Sequence, residues 1–131
     1  MIGYVTLGTN DLPRAMAFYD ALMATVGTPR LWHTDTMAAW AKTRTDPALC
    51  LTLPFDKQEA GVGNGAMVAL KMETTAQVDA LHAKALELGG TNEGSPGPRG
   101  SSGFYAGYFR DLDGNKLSAY VMAVSKPADV R

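Results

Sequence analysis

The sequence predicts an α+β fold built from two similar halves, and three observations predict it. A strand–helix–strands pattern runs over residues 1–54 and again over residues 65–122. Sliding the chain by 63 residues lays Tyr4-Val5 over Met67-Val68, Asp11 over Thr74 and Phe18 over Leu81. Finally, Phe104 to Tyr120 holds two aromatic-rich runs around Leu112-Asp113-Gly114-Asn115, the pattern of an antiparallel hairpin with a turn of Asp, Gly and Asn. A half-sheet with one helix covers only one of its faces. Two such halves make a curved sheet with helices outside and a hollow inside, so the repeat argues for a concave cavity between them.

Each element has its own local reason. Ile2 to Gly8 is rich in β-formers. Asn10 or Asp11 offers an N-cap, Pro13 suits a first turn, and Leu12, Ala15, Met16, Tyr19, Leu22 and Met23 keep helical spacing, which predicts a helix over 11–24 ended by Gly27 and Pro29. Short strands follow at Arg30 to His33, Met37 to Lys42 and Leu49 to Leu53, separated by turn-forming residues. Residues 55–64 carry charges and glycines without an apolar period and read as a linker. The second half opens with a strand at Ala66 to Met72. Thr74 and Gln77 form a capping box, and Val78, Leu81, Ala85 and Leu88 make the stripe of a helix over 75–88 that Gly89-Gly90 stops. Thr91 to Gly103 reads as a Gly-, Ser- and Pro-rich loop with at most a short strand near its start, and the tail from Ser125 to Arg131 reads as fraying.

Composition narrows the function. With 131 residues, 46% of them apolar and 19% charged, the chain reads as a single globular domain, 1–131. A formal net charge of -1 gives no electrostatic footprint for nucleic acid or an anionic membrane. No apolar run approaches the ~20 residues a membrane span needs, and the N-terminal stretch reads as a strand rather than a signal peptide. A lone cysteine, Cys50, excludes an internal disulfide framework and fits a cytoplasmic location. Asp111 to Asn115 is not a calcium loop, because its glycine falls at the wrong position and Met122 stands where a bidentate glutamate is needed. Gly61 to Gly65 precedes a strand rather than a helix, so it is no phosphate cradle.

Several stretches together resemble the vicinal oxygen chelate superfamily, which contains glyoxalase I, bleomycin-resistance proteins and extradiol dioxygenases. They are Tyr4-Val5-Thr6-Leu7 with Asn10-Asp11-Leu12, Ala17-Phe18-Tyr19, Asn64 to Leu70, Gly89-Gly90-Thr91 to Arg99, and Arg110 to Leu117, covering roughly residues 1–122. The resemblance implies paired βαβββ modules in a U-shaped mixed sheet with helices on the outer face, and a homodimer. In metal-dependent members, His, Glu or Gln side chains at four strand positions hold a divalent ion. Those positions fall here on Tyr4, near Cys50, on Met67 and on Ser118. None of these is the imidazole or carboxylate that such ions favour. Neither His33, on a strand, nor His82, on a helix expected to pack outside, restores the set.

The expectation is therefore a metal-independent protein, with no cofactor, that binds a small, partly apolar molecule. The candidate ligand-binding residues are Tyr4, Cys50, Met67 and Ser118, with Lys71, Lys116 and Tyr120 sharing the strand faces of Met67 and Ser118. Trp32 and Trp40 read equally well as an aromatic wall of the pocket or as core or dimer seam. Cys50 reads as a small buried hydrophobe and Ser118 as a lining hydroxyl. Two alternatives stay open. One is a glyoxalase-like lyase, isomerase or dioxygenase using an atypical metal site or metal-free acid–base chemistry by Tyr4, Cys50 or a lysine. The other is a pairing protein whose own side chains fill the hollow.

Overall fold

In a computed structural model, residues 1–122 are described; the tail from Ser125 to Arg131 lies outside the described residues. The elements run β1 (Tyr4–Gly8), α1 (Leu12–Ala24), β2 (Arg30–His33), β3 (Met37–Trp40), β4 (Ala48–Thr52), β5 (Val68–Lys71), α2 (Thr75–Glu87), β6 (Thr91–Pro98), β7 (Phe104–Arg110) and β8 (Lys116–Met122). They form two four-stranded mixed sheets, ordered β1-β4-β3-β2 and β5-β8-β7-β6. In each, the first strand pairs in parallel with the last and the other pairs are antiparallel. No helix among the described residues is long and apolar enough to cross a membrane.

The repeat extends to the caps. The Asp11 carboxylate accepts from the Arg14 N–H at 3.0 Å and the Thr74 hydroxyl oxygen from the Gln77 N–H at 3.1 Å, each satisfying one of the donors a helix start leaves free. Gln77 completes its cap by accepting from the N–H of Glu73 at 2.8 Å. Behind α2, Gly90 is obligatory, since a Cβ there would stand 2.7 Å from the Arg110 carbonyl oxygen and 2.8 Å from that of Ala85.

Apolar side chains from both halves merge into one core. Leu12, Phe18, Tyr19 and Leu22 of α1 join Trp40, Leu49 and Leu51 of the first sheet with Val78 and Leu81 of α2 and Phe109, Leu117 and Ala119 of the second. Each fully buried Leu there contributes about 1.5–3 kcal/mol by leaving water. The helices also touch each other. Each sheet thus spends one face on the shared core, and the opposite face is left open.

The segment after Gly90 differs most from expectation. Instead of a loop with a short strand, β6 runs eight residues, with irregularities between Asn92 and Gly97. It is the edge of its sheet, and edges tolerate the prolines and glycines that made it read as a loop. Pro96 and Pro98 remove donors that an edge strand does not need on its outer side.

Candidate functional site

Strand alternation sorts the candidate residues between the two faces of each sheet. In β8, Leu117, Ala119 and Val121 belong to the core, so Lys116, Ser118 and Tyr120 point the other way, to the open face. Pairing extends that face sideways: Ser118 is opposite Ala69 and Tyr108, and Tyr120 is opposite Lys71 and Ala106. In the first sheet, Thr6, Cys50, Ala39 and Trp32 form one cross-strand row on the open face, and Tyr4 precedes Thr6 on the same side. Tyr4, Trp32 and Met67 remain 66%, 47% and 44% exposed, high values for large apolar side chains.

Trp40 is not on that face; it lies on the core side, where it also lines a cavity of about 620 Å³ between the modules. It is 1% exposed and sits in the core 5.5 Å from the ring of Tyr19, with its indole N–H donating to the Asp20 carboxylate at 2.9 Å. A buried indole needs such a partner, and only the helix-facing side of the sheet offers one. The two tryptophans, alike in sequence, therefore have different roles. His82 of α2 is buried and satisfied, with Nε2 donating to the Asn92 side-chain oxygen and to the Tyr108 carbonyl, both at 3.0 Å.

The four positions at which metal-dependent relatives would hold their ion fall into two equivalent pairs. Thr6 pairs with Cys50 as Ala69 pairs with Ser118, so Cys50 and Ser118 correspond, as do Tyr4 and Met67. The donor set is a phenol, a thiol, a thioether and a hydroxyl, and burial raises the Cys50 thiol's pKa, which disfavours the thiolate a metal needs. These residues do not fit a divalent ion of that class. Among the described residues, no group of three or more His, Cys, Asp or Glu gathers elsewhere in an arrangement able to hold one.

The second sheet's open face has features its sequence did not announce. Phe104 stacks on Tyr120 with ring centres 5.6 Å apart, and the Tyr108 ring lies within 5.4 Å of the Arg99 guanidinium and 5.7 Å of the Lys116 ammonium. Arg99 is fixed by donating to the backbone carbonyls of Ser95 at 2.7 Å and Gly97 at 2.9 Å. Every second residue of the run Phe104 to Arg110 is on this face, but aromatics occur on both parities, so only the register against Ser118 could have sorted them. Ser118 itself is 1% exposed, and its Oγ has no hydrogen-bond partner among the described residues.

The cavity of about 620 Å³ forms a seam between the modules, lined by Ile2, Val5, Leu49, Leu70 and Met72 among others. Met67 and Lys71 reach it from β5's side, while Tyr4, Cys50 and Ser118 do not. Within one chain, then, the expected four do not converge on one hollow; they occupy two open faces.

The hairpin turn between β7 and β8 holds the modules together. Buried Asp111 accepts from the Tyr19 hydroxyl at 2.6 Å, from the N–H groups of Asp113 and Asn115 at 2.9 Å, and from the Asn115 side-chain amide at 3.0 Å. That amide also donates to the Gly8 carbonyl at 2.9 Å, so β8 of one module is tied to β1 of the other. Burial first, then the neighbouring Asp111 carboxylate, raises the Tyr19 phenol well above its ordinary value of 10.0.

Comparison with known proteins agrees with this architecture. A crystal structure of a glyoxalase/bleomycin resistance protein from Albidiferax ferrireducens T118 is 34% identical, with 92% of this chain and 98% of that one covered and a TM-score of 0.84. A hypothetical protein from S. aureus, 26% identical, covers 92% of each chain at a TM-score of 0.70. TnmS3, an antibiotic binding protein from Streptomyces sp. CB03234, shares the fold at 23% identity and a TM-score of 0.64 over 93% of this chain and 95% of its own. Comparison with curated proteins finds no match. The family model of the glyoxalase/bleomycin resistance protein/dioxygenase superfamily matches residues 1–118, from the first strand to Ser118, and the chain belongs to that superfamily.

Proposed function

We propose that the chain is a metal-independent small-molecule-binding protein that works as a homodimer, its ligand enclosed between open sheet faces. The observation that carries this reading is the character of those faces. They expose Tyr4, Trp32 and Met67, and put side chains unsuited to a divalent ion at the four ligand positions. Exposed large apolar side chains on a sheet face mark a surface that something covers.

A second copy is the fitting cover. Among the described residues, β1 and β5 each have one edge without a partner strand, and the apolar seam of about 620 Å³ lies between these strands. Unpaired edges beside an apolar cleft favour association with another chain. Pairing of copies would bring an open face from each module into apposition and gather residues that one chain holds apart. That TnmS3 is an antibiotic binding protein lends the fold a precedent for binding. For metal-free acid–base chemistry, burial raises the Cys50 thiol and so disfavours Cys50 as its base.

Native mass spectrometry of freshly purified protein tests the reading in one measurement. A dimer of the 13.9 kDa chain without bound metal, with retained organic mass or a thermal shift on adding small ring compounds, is expected. One tightly held equivalent of Zn, Ni, Mn or Fe would overturn metal independence, and a monomer at micromolar concentration would overturn the dimer.

A further inference from the structure

Resting on that reading, we infer that the open face of the second sheet binds the carboxylate of a small aromatic acid, with Ser118 as hydrogen-bond donor and Lys71 and Lys116 as the flanking charges. Ser118 is the starting point. A hydroxyl screened from water and left without a partner among the described residues forgoes its hydrogen bonding, and such groups in native proteins call for an explanation. Ser118 belongs to the open face by strand parity, so a group arriving on that face is the natural acceptor for its proton.

Charge gives the sign of that group. Lys116 and Tyr120 stand two residues to either side of Ser118, about 7 Å along the strand, and Lys71 is paired with Tyr120. Both ammonium groups can therefore swing toward Ser118 from opposite ends. Among the described residues, neither lysine has a carboxylate within ion-pair distance. A carboxylate would turn the Ser118 hydroxyl and the lysines into charge-assisted donors. The ring follows from the flanks. Ser118 lies between Tyr108 across the strand and Tyr120 along it, and the Phe104–Tyr120 stack continues the aromatic surface. A flat ring can stack against such an aromatic surface.

Ligand-observed NMR on the full chain, with benzoate and its uncharged analogue benzamide as probes at up to about 10 mM, tests this. Benzoate is expected to bind about tenfold more tightly than benzamide, and added salt should erode the difference. Replacing Lys116→Gln or Lys71→Gln, both at solvent-accessible positions where folding is not at stake, should shrink the preference severalfold, and Ser118→Ala should do the same. Equal affinity for the two probes would overturn recognition by charge while leaving small-molecule binding intact. Binding of benzoate unchanged in all three variants would place it elsewhere and overturn the site. If neither probe binds, the inference falls by itself, because the broader reading is judged separately by retained mass and metal content.

Discussion

Asp111 and Ser118 sit seven residues apart on one hairpin, and both have lost nearly all contact with solvent, at 4% and 1% exposure. Their chemistry could hardly differ more. Asp111 accepts four hydrogen bonds from three residues of both modules, while the Ser118 oxygen has no partner among the described residues. The hairpin turn faces inward and spends its polar capacity on joining the halves; the strand beyond it faces outward and keeps its capacity unspent. Saturated buried polar groups specify a fold, whereas an unpaired one on an open face is available to a ligand.

The comparison breaks most visibly at Asp111. Asp111→Ala orphans a buried phenol and two backbone donors at once, so a loss of about 3–5 kcal/mol in denaturant unfolding is expected. A loss under about 1 kcal/mol would mean the network does not hold the modules. The tryptophans offer a second contrast of similar size. Trp40→Ala should cost about 3–5 kcal/mol by opening the core, whereas Trp32→Ala, on the open face, should stay within about 0.5 kcal/mol and weaken ligand or partner binding instead. Equal losses would show that both residues are core.

Tyr19→Phe is a gentler probe, expected to cost about 1–2 kcal/mol by removing one bond to a charged acceptor. It also carries a pH signature. The folded protein keeps the Tyr19 phenol protonated above its ordinary value of 10.0, while the unfolded chain releases the proton there. Stability should thus be intact below pH 10 and fall as pH rises beyond it toward the raised folded value. Cys50, also raised from its ordinary 9.0, contributes in an overlapping range, so the part assigned to Tyr19 is the part that Tyr19→Phe abolishes. Alkaline unfolding identical in the two proteins would contradict the assignment. The smallest expected effect is at Ser118. Ser118→Ala leaves no partner behind, so stability should hold within about 0.5 kcal/mol or rise slightly. A loss beyond about 1 kcal/mol would show that the hydroxyl is already satisfied, and the contrast with Asp111 would dissolve.

Much of this was legible from residues alone. The helices α1 and α2 follow from their apolar stripes and caps, and the equivalence of Tyr4 with Met67 follows from the repeat. Other features were not. The aromatic run Phe104 to Phe109 fills both strand faces with rings, so no local pattern tells which ring meets the core. Trp32 and Trp40 looked interchangeable because the face of Trp32 depends on an irregularity between Arg30 and Trp32 in the pairing of β2 with β3. β6 was hidden because an edge strand tolerates the Pro and Gly that mark loops elsewhere.

Residue order alone carried the two-module α+β plan, the superfamily, and the lack of imidazole or carboxylate at Tyr4, Cys50, Met67 and Ser118. Those depend on periodicity and residue type, which are local and additive along the chain. Only the tertiary structure decided that Trp40 is core and Trp32 is not, that Asp111 bridges the modules, and that Ser118 is enclosed without a partner among the described residues. Each of these depends on what stands opposite a side chain from another strand or helix, and one chain's order of residues does not state that until the strands are in register.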